Sequence, residues 1–258
     1  MHSTEEKLKA FERLLEIMDE LREKCPWDRE QTMDSLRNLT IEETYELADA
    51  IMDQDLEEIR KELGDLLLHI VFYSKIGAEK KAFDIADVLY GINDKLVFRH
   101  PHVFGDRKVK DSVEVIENWE ELKMKEGNKS VLAGVPISLP AMIKSHRIQD
   151  KVRAVGFDWD HRDQVWDKVN EEIEEVKYEL NNGSQKEKME EEIGDLLFSI
   201  VNAARLYDIE PETALERTNR KFIKRFKYLE KKAGEMGRSL KEMSLAEMEA
   251  IWQEAKSI

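Results

Sequence analysis

Residues 42–46 read Glu42-Glu43-Thr44-Tyr45-Glu46, and residues 62–65 read Glu62-Leu63-Gly64-Asp65. The order returns as Glu171-Glu172-Ile173-Glu174-Glu175 and Glu192-Ile193-Gly194-Asp195. Glu43 and Glu46 lie three apart, as do Glu62 and Asp65, and on a helix that spacing puts both side chains on one face. Two such helices laid antiparallel bring four carboxylates together. Like charges at close range disfavour ionisation, so the group either takes up protons or holds a hard cation such as Mg²⁺, which prefers oxygen ligands. Each copy therefore reads as a divalent-metal cage: Glu43, Glu46, Glu62 and Asp65 in the first, and Glu172, Glu175, Glu192 and Asp195 in the second.

Two plainer readings compete. Most Glu-rich helix faces are simply solvated. Here, however, Glu62 and Asp65 head the run Leu66 to Tyr73, and Glu192 and Asp195 head Leu196 to Val201. Helices apolar nearly all round are expected to be buried, and a carboxylate on a buried helix needs a partner. Alternatively, Thr40 and Glu43 form a capping box, but the matching residue in the second copy is Val169, which cannot cap. Carboxylate sites for iron in helical bundles use Glu-x-x-His, and no histidine of this sequence has Glu three residues before it. Oxygen-only ligands favour Mg²⁺, or Mn²⁺, over iron or zinc.

The chain has 258 residues and a formal charge of 41 − 56 = −15. That balance argues against nucleic acid as the main partner. The single cysteine, Cys25, leaves no intrachain disulfide framework and fits a reducing, cytoplasmic setting. Met1 to Leu14 has no apolar core, so no signal peptide is expected. Leu63 to Ile76 is too short and too interrupted to span a bilayer, so no membrane partner is expected. With 38% charged residues, 11 Gly and 5 Pro, the composition predicts an all-α protein.

Apolar periodicity predicts a helix over Lys7–Lys24, ended by Pro26. The first acidic helix is expected from Thr40 to Met52, and the next from Leu56 to Ile76 with Gly77 as its C-cap. Further helices are expected over Asp84–Phe98 and Val113–Glu126. Gly127 to Pro140 is rich in Gly, Pro and Ser and reads as a linker. The pattern then restarts with helices over Met142–Val152, Gln164–Leu180, Ser184–Leu206 (Ser184 and Glu187 as a capping box), Pro211–Lys232 and from Ser244 to Lys256. The order Trp-Asp, acidic pair, acidic pair, Asn-x-Lys-x3-Arg, Trp is kept in both halves. This predicts two copies of one helical module: residues 1–128, a linker at 129–140, and residues 141–258.

The acidic pairs on a tandem helical repeat resemble the MazG family of nucleoside triphosphate pyrophosphohydrolases. Cys25-Pro26-Trp27-Asp28, Glu62-Leu63-Gly64-Asp65-Leu66-Leu67, Arg99-His100-Pro101-His102-Val103-Phe104 and Val155-Gly156-Phe157-Asp158-Trp159 look like segments of its long, two-domain members. The resemblance implies Mg²⁺-dependent cleavage of NTPs or dNTPs between the α- and β-phosphates, a homodimer completing each four-helix-type bundle, and a house-cleaning role in nucleotide pools. The eight cage carboxylates match its metal ligands. Glu42 and Glu171 would orient a water or act as base; the other reading is a solvent-facing helix residue. Lys95 and Arg99, with Lys221 and Arg225, resemble positions that contact phosphates. Asn93 and Asn219 would touch substrate or hold a neighbouring turn. Trp27, Trp159 and Trp252 can stack on a base, although a tryptophan also serves as core or interface. The C-terminal half is expected to be the active one. The rival reading is a non-catalytic helical module that binds nucleotide or protein.

Overall fold

The computed structural model describes residues 1–111, 114–115, 118 and 130–257. Every regular element among them is a helix. The chain divides into two compact units, Met1–Lys108 and Val109–Ile258. Most of the helix expected over Val113–Glu126, including Trp119, the tryptophan that closes the first copy as Trp252 closes the second, and the first residues of the expected linker lie outside the described residues.

In the first unit, α1 (Thr4–Lys24) starts at a Ser3–Glu6 capping box, α2 (Pro26–Glu30) begins with proline at its first position, and α3 (Met33–Asp53) starts at Thr32. After a left-handed turn at Gln54 comes α4 (Leu56–Glu79), capped by Asp55. Then follow α5 (Ile85–Arg99) and the short α6 (Pro101–Phe104). Helices α1, α3 and α4 enclose Met18, Leu36, Val71, Phe72 and Ile76. Arg22 ties them together, donating to Glu79 and to the carbonyls of Asp28 and Gln31 while lying over Phe72.

In the second unit, α7 (Ala141–Arg153) is followed by a turn at Gly156, whose φ of 84° favours glycine. Then come α8 (Val165–Asn181), α9 (Lys186–Leu206), α10 (Pro211–Glu235) and α11 (Leu245–Glu254), the last opened by a Ser244–Glu247 capping box. One core cluster is Val165, Val169 and Ala203; another is Leu229, Ala233, Met243 and Ile251.

Three local expectations change. Thr40 lies inside α3 rather than at its start; its hydroxyl bonds the Leu36 carbonyl and sits 2.6 Å from His69 Nδ1 and 2.7 Å from the Tyr73 hydroxyl. The Thr40–Glu43 capping box therefore does not form, and Thr32 with Ser35 caps instead. Gly77 is not a cap but a buried helical residue pressed on Phe83, where a Cβ would stand 2.7 Å from the ring. Ser184 hydrogen-bonds Glu179, and Gln185 takes the N-cap position. Helices α4 and α9, expected to be buried all round, are covered on one side only: Leu63, Leu67 and Ile70, and Ile193, Leu197 and Ile200, are exposed.

Candidate active site

Helix α3 carries Glu43 and α4 carries Glu62 and Asp65, and each offers an oxygen within 4.8 Å of the others. Glu46, one turn beyond Glu43, adds to their field. Burial raises the Glu43 carboxyl above the ordinary carboxylate range, reinforced by the charges of Asp65, Glu46 and Glu42 and partly offset by a hydrogen bond with Glu62. Glu62 is raised likewise, by burial and then by Glu46, Asp65, Glu43 and Glu58. All these neighbouring charges are acidic, so folding here concentrates negative charge.

The second unit repeats the geometry with Glu172 on α8 and Glu192 and Asp195 on α9, again within 4.8 Å. Glu172 and Glu192 are buried, whereas Glu43 and Glu62 are half-buried. Two lysines attend them. Lys168 Nζ lies 2.6 Å from Glu172 Oε1 and 2.9 Å from Glu171, and Lys188 Nζ lies 2.6 Å from Glu192 Oε1. Hydrogen bonds to these carboxylates raise both ammonium groups well above the ordinary lysine range. Glu175 is raised by burial, then by its hydrogen bond with Glu172 and the charges of Glu172 and Glu192, with Lys168 opposing. Through the repeat, Lys168 stands where the first unit has Leu39, and Lys188 where it has Glu58.

These donor sets fit a hard divalent cation. All ligands are carboxylate oxygens, and the buried Glu172 Oε2 meets no N–H, hydroxyl or ammonium donor. A buried anionic oxygen left bare is costly, and a cation at the cage would satisfy it.

A cavity of about 710 Å³ opens onto the second cage, with Lys168, Glu172 and Asp195 at the cage end and Phe157, Trp159 and Phe198 among its apolar walls. It is also lined by Arg205, which is buried and holds Asp158 through two hydrogen bonds of 3.1 and 2.5 Å. Burial opposes ionisation of Asp158, but the hydrogen bonds from Arg205 and the Trp159 N–H outweigh it and hold the carboxyl below its ordinary range. On the other side, Glu171, Glu175, Lys188 and Glu192 line an open cleft of about 740 Å³.

The repeat explains why this cavity belongs to the second unit. Counting from Asp65 and Asp195, the cavity residues Ser199 and Asn202 and the core residue Ala203 match His69, Phe72 and Tyr73. In the first unit three rings stand at those positions: Phe72 is 3% exposed in the core, with Tyr73 packed against the same core and His69 bonded to Thr40.

Of the other expected residues, Trp159 lines the cavity. Trp252 packs 4.9 Å from the ring of Phe222 and under the Arg225 guanidinium at 6.0 Å. Trp27 is exposed on α2. Asn219 is exposed on α10 and donates to Glu216 at 3.2 Å, and Lys221 is exposed one turn before Arg225. Asn93 and Lys95 are exposed on α5, and Arg99 closes it. Glu42 and Glu171 are exposed beside their cages. Sequence reasoning missed Lys168, Lys188, Gln149, Asn202 and Arg205. The lysines had a legible signal, since each stands four residues before a cage glutamate. The others are brought in only by tertiary packing.

Two segments, 31–104 and 162–229, match the MazG nucleotide pyrophosphohydrolase domain. The chain is 43% identical over 257 residues to the nucleoside triphosphate pyrophosphohydrolase of Escherichia coli K12, covering 96% of this chain and 98% of that one. It is 41% identical over 251 residues to the nucleoside triphosphate pyrophosphohydrolase/pyrophosphatase MazG of Thermotoga maritima, covering 95% of each. It is also 45% identical over 259 residues to YabN of Bacillus subtilis, covering 98% of this chain and 53% of YabN. Two cages on a tandem helical repeat, the doubled domain match and end-to-end relatives agree: the chain belongs to the MazG nucleotide pyrophosphohydrolase family.

Proposed function

We propose that this enzyme, a hydrolase of acid anhydrides, cleaves NTPs and dNTPs between the α- and β-phosphates to NMP and pyrophosphate, with Mg²⁺ in its carboxylate cage and the second unit as the working one. The observation that carries this reading is the junction, in one unit, of a buried cage bearing a bare carboxylate oxygen with a large cavity walled by aromatic residues. The names of the E. coli and T. maritima relatives support the reaction. Glu172, Glu175, Glu192 and Asp195 hold the cation, and Glu43, Glu46, Glu62 and Asp65 do so in the first unit. When bound there, Mg²⁺, or Mn²⁺, would supply positive charge beside the phosphate oxygens and would acidify a water.

The protein's own groups divide the remaining work. Lys168 holds Glu171 beside Glu172, where Glu171 takes a proton from the attacking water; Glu42 is its counterpart in the first unit. The water oxygen bonds to the α-phosphorus, the bond from that phosphorus to the α–β bridging oxygen breaks, and pyrophosphate leaves with the electron pair. Lys221 and Arg225 meet phosphate oxygens, Arg in its bidentate manner, with Asn219 beside them. Asn93, Lys95 and Arg99 occupy the matching places in the first unit. Trp159 stacks on the base from the cavity wall, with Trp27 and Trp252 as the other stacking candidates.

The working form is a homodimer. Helix α5 buries none of its residues within the chain, and Leu89, Tyr90, Ile92, Leu96, Val97 and Phe98 are exposed on it. An apolar surface of this kind on a charged protein calls for a partner, and a second copy completes the bundle. Among the described residues no helix is long and apolar enough to cross a membrane. A cytoplasmic house-cleaning role on nucleotide pools fits a soluble triphosphate substrate.

Hydrolysis in H₂¹⁸O tests the bond assignment. With Mg²⁺ and a panel of NTPs and dNTPs, the label is expected in NMP, with unlabelled pyrophosphate. Label in pyrophosphate would move the attack to the β-phosphorus, and release of NDP and phosphate would reject α–β cleavage.

A further inference from the structure

Gln149 on α7 is 4% exposed and lines the same cavity as Glu172 and Asp195. Its amide nitrogen donates to the Phe198 carbonyl at 2.9 Å. A carbonyl can only accept, so that bond fixes which end of the amide points where. The nitrogen faces Phe198, and the oxygen is left over. Gln149 Oε1 is buried and has no hydrogen-bond partner. A buried polar atom without a partner is rare enough to require an explanation. The cavity it lines also carries Ile148, Phe157, Trp159 and Phe198, and two of its charged residues, Arg205 and Asp158, are hydrogen-bonded to each other. The same cavity is lined by Lys168, Glu172 and Asp195 of the acidic cage.

We propose that Gln149 Oε1 accepts a hydrogen bond from an N–H of the substrate's nucleobase, so that the cavity seats the base while the cage end receives the phosphates. The inference rests on the pyrophosphohydrolase reading and names its base subsite. Each common base carries a suitable donor on its pairing edge: an amino group in adenine and cytosine, a ring N–H in guanine, uracil and thymine. One acceptor among aromatic walls therefore holds any base without selecting among them, since stacking is tolerant of base identity. Gln149 is then an affinity residue. It acts before the chemical step, and its loss is expected in KM rather than in kcat.

The test uses the full-length enzyme with Mg²⁺ and compares UTP with N3-methyl-UTP, which lacks the ring N–H. The wild type needs no variant: methylation is expected to raise KM about tenfold, the size of one lost hydrogen bond with its acceptor left buried. Gln149→Leu is expected to raise KM for UTP about tenfold, with kcat changed less than about twofold, and to lose the preference for UTP. Equal KM values for the two nucleotides on the wild type would overturn the inference alone. So would a preference for UTP that survives Gln149→Leu, because the methyl group would then act by bulk. A wild type that turns over neither nucleotide would defeat the pyrophosphohydrolase reading and this inference with it.

Discussion

Single residues decide how each cage bears its charge. Lys168 neutralises the buried Glu172, so Lys168→Met leaves a buried carboxylate without its cation. The cost is expected to be about 1–3 kcal/mol without divalent ions, below the value for a fully buried pair because the ammonium reaches solvent. Saturating Mg²⁺ is expected to restore most of the lost Tm, and thermal melts in chelator and in Mg²⁺ check both. In the first cage the sign reverses. Glu43 is raised in the folded state, so the folded protein binds that proton more tightly than the unfolded chain. Stability from this group is present at low pH and declines as pH rises from the ordinary carboxylate range through the raised value. Glu43→Gln is therefore expected to be the more stable protein at pH 7 in chelator, with the advantage vanishing near pH 4. An advantage that persisted at pH 4 would remove the repulsion argument. Gly77 supplies a third case: Gly77→Ala drives a methyl into Phe83, and denaturant melts are expected to show a loss of about 1–3 kcal/mol.

At the scale of elements, helices α4 and α9 present the same Glu-x-x-Asp head and then diverge. His69, Phe72 and Tyr73 stand in the first unit where Ser199, Asn202 and Ala203 stand in the second. Asn202→Phe restores the first unit's ring in a cavity with room for it. It is expected to weaken nucleotide binding at least tenfold and to leave calorimetric Mg²⁺ binding at the cage within about twofold. Loss of metal binding as well would show the cavity and cage to be one structural unit rather than two subsites. Much of this scale was legible beforehand. Three-residue spacing, a local property, put Glu62 and Asp65, and Glu192 and Asp195, on one helix face; of each expected quartet three carboxylates converge, joined by Glu43 or Glu172 from the facing helix, and Glu46 and Glu175 stand outside the cluster. Ends were less legible: Thr40 looks like a cap by spacing, but α3 packs back to Leu36 and its cap is Thr32. Gly77 looks like a stop, yet its missing Cβ serves close packing. The cavity was not legible at all, since it depends on which side chains from α7, α8 and α9 fail to meet.

For the molecule as a whole, α5 has an exposed apolar face and α4 and α9 are covered on one side only, which is the ground for the proposed homodimer. Light scattering is expected to give a dimer at micromolar concentration, and Leu96→Lys, which puts an ammonium on that face, is expected to shift it towards monomer. The two units carry the same acidic motif but unequal machinery, and the second has the buried cage, the lysines and the open cavity. The most direct measurement is Mg²⁺-dependent release of NMP and pyrophosphate from the full-length protein, comparing wild type, Glu172→Gln and Glu43→Gln, with circular dichroism to confirm folding. The expected result is a loss of about a hundredfold or more for Glu172→Gln and a change under about threefold for Glu43→Gln. Equal activity of the wild type and Glu172→Gln, with the loss falling on Glu43→Gln, would contradict it and place the chemistry in the first unit.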